Sequence, residues 1–262
     1  MINWLVQSND AHPDLGTGRV PEGLLGVPEQ QRYNDLKTEK RRSDWLLGRW
    51  TAKHLARSVL NGHANPPGLD SFCVLNEASG APYLTGSASG PVSLSISHSH
   101  DHAFCAVVER RGWPLGADIE RVEHRSLTFA QDYFTDAEMA MVTGTPVHTR
   151  DMLITAIWSA KEAVLKAYQV GLTVDTRAVS CTISPVTGAP SDWTPFYIEC
   201  DACRLRRPDL KLAGWWRTLS HFVLTLVTRP AAMIANELMS PNGYSSRQSQ
   251  YVNGLTSGQR PS

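Results

Sequence analysis

The chain lacks an excess of charge of either sign, because its 25 Lys and Arg residues are balanced by 25 Asp and Glu residues. No global field would therefore draw the protein to nucleic acid or to an anionic membrane, so any anion site must be local. The chain also lacks a long apolar run, and residues 1–10 contain no basic, apolar leader. These absences argue against a membrane span and a secretory signal, and they favour a cytoplasmic protein.

Cysteine is scarce, with five residues scattered along 262. An odd number in a long chain argues against a disulfide framework and indicates free thiols in a reducing compartment. Cys200 and Cys203 have CxxC spacing, but a zinc site needs a second ligand pair.

What is present is enough apolar sequence, 42% of the residues, for one large domain or two packed lobes. Hydrophobic periodicity predicts helices over 28–60, 126–133, 135–142 and 149–169, the last ended by Gly171. It predicts strands over 72–75, 92–96, 103–109, 115–120, 178–183, 196–200 and 221–227. A helix followed by strands occurs in both halves, although we can align no sequence repeat. The order predicts an α+β protein of two similar lobes, residues 1–114 and 115–230, followed by a disordered polar tail over 231–262.

Two carboxylates lie at the end of the strand predicted over 115–120, where the sequence reads Leu-Gly-Ala-Asp-Ile-Glu. Period-two alternation directs Asp118 and Glu120 to one side of that strand and Ile119 to the other. A cation would offset their repulsion, and carboxylate oxygens suit Mg²⁺. The alternative is a solvated acidic face at the edge of a sheet.

The helix predicted over 149–169 contains Trp-Ser-Ala-Lys-Glu-Ala-Val-Leu-Lys at residues 158–166. Glu162 and Lys166 are four residues apart and share a face, with Trp158 one turn earlier. By itself this pattern is also that of an ordinary surface ion pair.

Other polar segments could contact a phosphate group. Ser97 and His98 follow an apolar strand, and a basic stretch over 40–53 could form a phosphate-binding helix face or a solvated one. The alternate histidines at 98, 100 and 102 could instead bind zinc, although a turn over 99–101 would break their common face.

Taken in order, residues 96–99, 116–120 and 158–166 resemble the Sfp-type 4′-phosphopantetheinyl transferases. That family has a strand ending in G-x-D-x-E followed by a helix with W-x-x-K-E-x-x-x-K, and both patterns occur here. Weaker similarity extends over roughly residues 28 to 227. The resemblance implies two α+β lobes related by a pseudo-twofold axis, with coenzyme A and a metal ion in the cleft between them.

The resemblance also implies roles for individual residues. It assigns Mg²⁺, or Mn²⁺, to Asp118, Glu120 and Glu162. It assigns the pyrophosphate to Lys166 and another coenzyme A phosphate to Ser97 and His98. The family often has a basic residue where this chain has Ala81, so a different cation must contact the 3′-phosphate, and Arg42 and Arg49 are the candidates.

These roles imply an enzyme that moves the 4′-phosphopantetheine group of coenzyme A to a serine hydroxyl of an apo acyl- or peptidyl-carrier protein, releasing 3′,5′-ADP. Such enzymes serve fatty acid or secondary metabolite biosynthesis. Glu162 is the expected general base, and Lys166 the group that stabilises the leaving phosphate. The carrier would dock on residues 121–141, and a monomer would suffice.

Three alternatives differ in class. One is a non-catalytic paralogue that binds coenzyme A or a carrier, and the second is a metal-binding protein built on the three histidines. The third, a nucleic-acid-binding module using residues 40–53, is disfavoured by the zero net charge.

Overall fold

A computed structural model of the chain describes residues 1–60, 68–86, 90–184, 190–205, 207, 209–230 and 234. Within these residues the strands are β1 Asn3–Ser8, β2 Phe72–Asn76, β3 Pro82–Gly86, β4 Ser93–Ser99, β5 His102–Val108, β6 Leu115–Arg121, β7 Val179–Thr182, β8 Thr194–Cys200, β9 Ala213–Leu219 and β10 Phe222–Thr228. The helices are α1 Val27–Asn34, α2 Glu39–Leu60, α3 Leu127–Tyr133, α4 Asp136–Gly144, α5 Val147–Tyr168 and α6 Ala202–Leu205. The α+β prediction is confirmed.

Several predicted boundaries differ from those observed. The helix predicted over 28–60 is two helices, because Thr38 interrupts it and accepts a hydrogen bond from the Arg41 amide at the start of α2. Helix α5 ends before Gly171, since Gln169 takes the left-handed conformation (φ 60°) that closes it. Strands β1, β3 and β9 were not predicted. The predicted tail lies outside the described residues except for Ile234, which bridges to Ile2.

The strands form three antiparallel sheets, in the orders β1-β5-β4, β6-β10-β9-β8-β7 and β2-β3. Helix α2 packs on β1 and β5, and α5 packs on β6 and β10. Both halves run as a strand, a short helix, a 22-residue helix and four strands, with α3 and the small α6 as additions in the second half. The division after residue 114 stays a prediction.

The two larger sheets share a core between the faces that their helices leave uncovered. Trp4 and Phe104 of the first sheet belong to the same buried cluster as Ile119 and Leu224 of the second. Strand β10 is buried along its whole length, because it lies between β6 and β9 and under α5. The strand that carries the two predicted acidic residues therefore lies at the centre of the molecule.

Serines on one face of β4 connect it to β6. The Ser95 and Ser99 hydroxyls accept hydrogen bonds from the backbone amides of Ala117 and Arg121, at 2.9 and 3.2 Å. All three alternate serines of β4, at 95, 97 and 99, are buried. They compensate for the absence of strand pairing between β4 and β6, which belong to different sheets.

A buried ion pair attaches α1 to α2 in the first half. Glu29, in the first turn of α1, accepts a hydrogen bond from the Gly26 amide and forms an ion pair with Lys53 of α2; both side chains are fully buried. The second carboxylate oxygen of Glu29 accepts from the Val74 amide of β2. One glutamate thus caps a helix and joins three elements.

The same arrangement occurs in the second half. Glu138, in the first turn of α4, accepts from the Thr135 amide at 2.8 Å and pairs with Lys161 of α5 at 2.6 Å, again with both side chains fully buried. Its other oxygen accepts from the Cys181 amide of β7 at 2.7 Å.

This correspondence reveals a short sequence repeat that could not be aligned from the sequence alone. Lys53 and Lys161 are each the fifteenth residue of a 22-residue helix, so residues 50–53 (Trp-Thr-Ala-Lys) align with 158–161 (Trp-Ser-Ala-Lys). Within the repeat, the two lysines have matching buried partners, Glu29 and Glu138.

In the part of the chain that the structure describes, no helix is long and apolar enough to cross a bilayer.

Candidate functional site

The site is built where α5 lies against β6, and a glycine allows the close approach. A Cβ atom added to Gly116 would lie 1.8 Å from the backbone oxygen of Ala163. Any side chain at Gly116 would therefore push the helix off the strand. The contact brings Lys166 of α5 to Asp118 of β6.

Asp118 is 2% exposed and receives three hydrogen bonds. Its Oδ1 accepts from the Ser97 hydroxyl at 2.7 Å and from the Lys166 ammonium at 2.6 Å. Its Oδ2 accepts from the Ser159 hydroxyl at 2.7 Å. Lys166 also donates to the Ser97 hydroxyl and to the Ala117 carbonyl, at 2.9 and 3.3 Å.

Glu120 lies on the same side of β6, as alternation predicts. Its carboxylate accepts from Arg125 Nη2 at 2.9 Å and from Trp158 Nε1 at 3.2 Å. Burial, together with repulsion from Asp118 and Glu162, raises the pKa of Glu120 to about 7, although Arg125 opposes the shift.

Glu162 is close enough to Asp118 to interact with it electrostatically. Burial first, and then repulsion from Asp118, raises the pKa of Glu162, while Lys166 opposes the shift. Asp118, Glu120 and Glu162 therefore form one electrostatic cluster, in which each carboxylate makes ionisation of its neighbours costlier.

Among the described residues, no three His, Cys, Asp or Glu side chains are grouped as they would be around a metal ion. Two of the three carboxylates contact protein cations, Asp118 with Lys166 and Glu120 with Arg125. Their chemistry nevertheless fits a hard divalent cation. The donors are carboxylate oxygens; burial, and after it repulsion between neighbouring carboxylates, raises the pKa of Glu120 and of Glu162, and a bound cation would offset that repulsion.

A cleft of about 870 Å³ is lined in part by Lys166, whose ammonium contacts Asp118; Asp118, Glu120 and Glu162 are not among its described lining residues. It is lined by β3, the first part of β4, the turn after β5, and the end of α5; the lining residues are 77–84, 90–96, 111–113, Leu115, Lys166, Gln169 and Gly171. Lys166 and Arg111 are the cations in this described lining, and Arg111 is exposed. The described lining of the cleft thus carries two basic groups, one on α5 and one in the turn after β5.

Ser97 and His98, predicted to contact a phosphate, are separated by the structure. The Ser97 hydroxyl is buried against Asp118 and Lys166. The His98 ring points to the opposite side of β4, where its Nε2 lies 3.9 Å from an Asp44 carboxylate oxygen. Neither residue lines the cleft, which includes β4 only as far as Ile96.

Arg42 and Arg49, the predicted 3′-phosphate ligands, do not line the cleft either. Arg49 is buried: its guanidinium donates to the Val74 carbonyl and the Asn76 side chain, at 3.3 and 2.9 Å, and burial lowers its pKa to about 10. Arg42 donates to the Leu36 carbonyl at 3.0 Å and lies over the Tyr33 ring. Both arginines have structural partners.

The three alternate histidines have different neighbours, because β4 ends at Ser99 and β5 begins at His102. His98 lies near Asp44, His100 near Glu123, and His102 against Asp101 and the Phe222 ring. The histidine metal site has no support in the described part of the chain.

The segment predicted to dock a carrier begins with Arg121 and runs along α3 and α4. Leu127 and Tyr133 are exposed by 42% and 39%, whereas Phe129 packs against the Trp158 ring, 5.2 Å between centroids. The Arg125 guanidinium lies over the Phe129 ring and also forms an ion pair with Glu120. This surface therefore connects directly to the carboxylate cluster.

No role was predicted for Ser159, Arg111 or Thr225. Ser159 lies inside the motif at 158–166, but nothing in that motif indicates that its partner is on β6. Arg111 stands in a turn and Thr225 within a buried apolar strand. Nothing local in the sequence marks either one.

Comparisons with known proteins point to one family. The sequence model of the 4′-phosphopantetheinyl transferase superfamily matches residues 114–206. A holo-[acyl-carrier-protein] synthase of Exiguobacterium sibiricum is 33% identical over 105 residues, 39% of this chain and 81% of that protein. One from Streptococcus suis is 34% identical over 89 residues, 34% of this chain and 74% of that protein.

Among solved structures, a holo-(acyl-carrier-protein) synthase from Bacillus anthracis in complex with coenzyme A is 23% identical. The match covers 42% of this chain and 96% of that one, with a TM-score of 0.36. That score is too low for a comparison of the two sites.

Proposed function

Because the chain belongs to the 4′-phosphopantetheinyl transferase superfamily, we propose that it transfers the 4′-phosphopantetheine group of coenzyme A to a serine hydroxyl of an apo acyl- or peptidyl-carrier protein, releasing 3′,5′-ADP. One observation carries the proposal. Asp118, Glu120 and Glu162 form one charged cluster with Lys166 where α5 crosses β6, and Lys166 also lines a cleft large enough for a nucleotide.

In this proposal Asp118, Glu120 and Glu162 would hold Mg²⁺ or Mn²⁺. The ion would neutralise pyrophosphate oxygens as a Lewis acid. The three carboxylates suit a cation because together they carry more negative charge than Lys166 and Arg125 offset.

Glu162 is the proposed general base. Burial and the neighbouring Asp118 raise its pKa above that of an exposed glutamate, and a more basic carboxylate is a better proton acceptor for a serine hydroxyl. The residue lies on α5, which is held against β6 by the close contact at Gly116 and to α4 by the Lys161 ion pair. The carboxylate is thus carried by a rigid element.

Lys166 is the proposed group that stabilises the leaving phosphate. Its ammonium is only 26% exposed, lines the cleft and contacts Asp118. Negative charge develops on 3′,5′-ADP as the P–O bond breaks, and a nearby fixed cation lowers the energy of that state.

For the remaining phosphate of coenzyme A we propose Arg111 in place of Arg42 and Arg49. Arg111 lines the cleft in the turn after β5, where Arg110 and Trp113 are hydrogen-bonded to Ser93 at the start of β4, whereas Lys166 contacts Ser97, four residues further along that strand. Two cations at different positions in one cleft suit a ligand with a pyrophosphate and a separate phosphate.

The carrier protein is proposed to dock on α3 and the segment before it. Exposed Leu127 and Tyr133 offer apolar contact, and Arg121 offers positive charge to an acidic helix, with the exposed polar ring of His124 beside it. Both sides of the cleft come from one chain, so we propose that a monomer is sufficient.

The proposal is tested by incubating the protein with coenzyme A, Mg²⁺ and a panel of apo carrier proteins, and measuring the intact mass of each carrier. We expect addition of one phosphopantetheine arm to the carrier serine by the wild type, and none by Asp118→Asn or Glu162→Gln. Binding of coenzyme A without addition to any carrier would instead identify a non-catalytic paralogue.

A further inference from the structure

Two buried hydroxyl groups next to Asp118, those of Ser159 and Thr225, have no assigned role. Ser159 is fully buried on α5, and its Oγ lies 2.7 Å from Asp118 Oδ2 and 2.9 Å from Thr225 Oγ1. Thr225 is fully buried on β10, directly opposite Asp118 in the strand pairing. Its hydroxyl also lies 3.0 Å from the Ser159 carbonyl.

The direction of these hydrogen bonds follows from the number of protons. An ionised carboxylate only accepts, so the single Ser159 proton goes to Asp118 Oδ2. The Ser159 oxygen can then only accept from Thr225, whose one proton is shared between the hydroxyl and the carbonyl of Ser159. The order of donation is therefore Thr225 to Ser159 to Asp118.

The internal repeat supplies a comparison within the same molecule. Thr51 occupies the position in α2 that Ser159 occupies in α5, and it is equally buried. Its hydroxyl donates to the Leu47 carbonyl of its own helix, at 2.9 Å. A buried hydroxyl at this position is thus satisfied within the helix when no carboxylate faces it. Ser159 is instead directed across to β6.

We infer that Ser159 and Thr225 are positioning residues that fix the carboxylate plane of Asp118 and thereby set the affinity of the carboxylate cluster for a divalent cation. A carboxylate rotates easily about its last side-chain torsion, and Lys166 and Ser97 both bind Oδ1. Only Ser159 donates to Oδ2 through a side chain described here. Without Ser159, Oδ2 would be buried without a donor, and Asp118 would rotate or shift.

The inference rests on the proposed function only in assuming that the cluster binds a metal ion. It is tested on the free protein by titration with Mn²⁺, followed by electron paramagnetic resonance, without coenzyme A or carrier. The variants are Ser159→Ala and the nearly isosteric Thr225→Val, and Thr51→Ala is the matched control. Thermal unfolding is measured for all of them.

We expect Ser159→Ala to weaken Mn²⁺ binding by about 10- to 100-fold, the usual effect of removing a group that orients a metal ligand. Thr225→Val should weaken binding in the same direction and by less, since Ser159 keeps its bond to Asp118. Thr51→Ala should bind Mn²⁺ like the wild type, even where its melting temperature falls as far as that of Ser159→Ala.

Folded Ser159→Ala and Thr225→Val with the Mn²⁺ affinity of the wild type would overturn the inference, as would an equal loss in Thr51→Ala. If Ser159→Ala does not fold, the comparison of Thr225→Val with Thr51→Ala decides. A wild type that binds no Mn²⁺ would also overturn it. A wild type that binds Mn²⁺ in a manner dependent on Ser159 but modifies no carrier would refute the proposed function and leave this inference standing.

Discussion

Replacing Gly116 with alanine should separate the two elements that build the site. The added Cβ would lie 1.8 Å from the Ala163 carbonyl oxygen, and such contacts essentially do not occur below 3.0 Å. Helix α5 must therefore move off β6 by at least about 1.2 Å, because the obstacle is backbone and cannot rotate away. The bonds from Lys166 and Ser159 to Asp118, now 2.6 and 2.7 Å, would lengthen beyond hydrogen-bond distance.

Two magnitudes follow for Gly116→Ala. Overpacking a well-packed core costs about 1–3 kcal/mol, and an immovable backbone obstacle places this case at the upper end. At about 3 kcal/mol the melting temperature should fall by roughly 6–12 °C. A misplacement of about 1 Å in a catalytic group costs about 100-fold in rate, so the transfer rate should fall at least that much in the protein that remains folded.

The assay is thermal unfolding together with the rate of carrier modification well below the melting temperature. Gly144→Ala is the matched control, because nothing lies within 4 Å of an added Cβ there. It should leave both quantities nearly unchanged. A Gly116→Ala protein with the wild-type melting temperature and a rate within threefold of the wild type would refute the account of the contact between α5 and β6.

Three further predictions follow. Lys161→Met leaves its fully buried carboxylate partner unpaired and should cost about 3–5 kcal/mol of stability, whereas Lys40→Met, at a 77% exposed lysine, should cost less than about 1 kcal/mol in urea unfolding. Burial lowers the pKa of His54 below 6.5, so the unfolded chain binds the proton more tightly; stability should fall as pH drops below about 6.5, and less steeply in His54→Gln. Arg111→Ala should raise KM for coenzyme A but not for dephospho-coenzyme A, whereas Arg110→Ala, whose guanidinium stacks on Trp113, should change neither.

Each of these has a result that contradicts it. Equal losses of stability in Lys161→Met and Lys40→Met would mean that the buried pair contributes no more than a surface one. Parallel stability curves for the wild type and His54→Gln between pH 7 and 5 would exclude His54 as a source of acid sensitivity. An equal rise in KM for both forms of coenzyme A would place Arg111 elsewhere than at the 3′-phosphate.

The sequence could predict most of the second half of the site. Alternation in β6 and helical spacing in α5 are local properties: the first placed Asp118 and Glu120 on one side of a strand, and the second placed Glu162 and Lys166 on one face of a helix, both near Asp118 in the structure. The α+β class followed from the order of these elements. The short repeat formed by residues 50–53 and 158–161 was not predicted, because the two copies correspond through buried partners that are distant in sequence.

The surroundings of the predicted phosphate-binding residues could not be predicted in the same way, and their roles stay predictions. Arg49 belongs to a basic stretch typical of an anion site, but whether its side chain faces solvent depends on β2, whose Val74 carbonyl receives it. Ser97 was predicted to contact a phosphate, and its hydroxyl contacts Asp118, because that face of β4 packs against β6 and β4 lines the cleft only as far as Ile96. Burial and strand order decided both positions, and neither is a local property of the sequence.

The most direct test of the central claim is the rate at which Glu162→Gln releases 3′,5′-ADP from coenzyme A in the presence of Mg²⁺ and an apo carrier protein, compared with the wild type at equal occupancy by coenzyme A. Glutamine keeps the shape of the side chain but cannot take a proton, and general-base catalysis contributes about 10²- to 10⁴-fold. We therefore expect release to fall at least 100-fold while the Kd for coenzyme A changes little. Release at the wild-type rate by Glu162→Gln, or no release by the wild type with any carrier, would contradict the account.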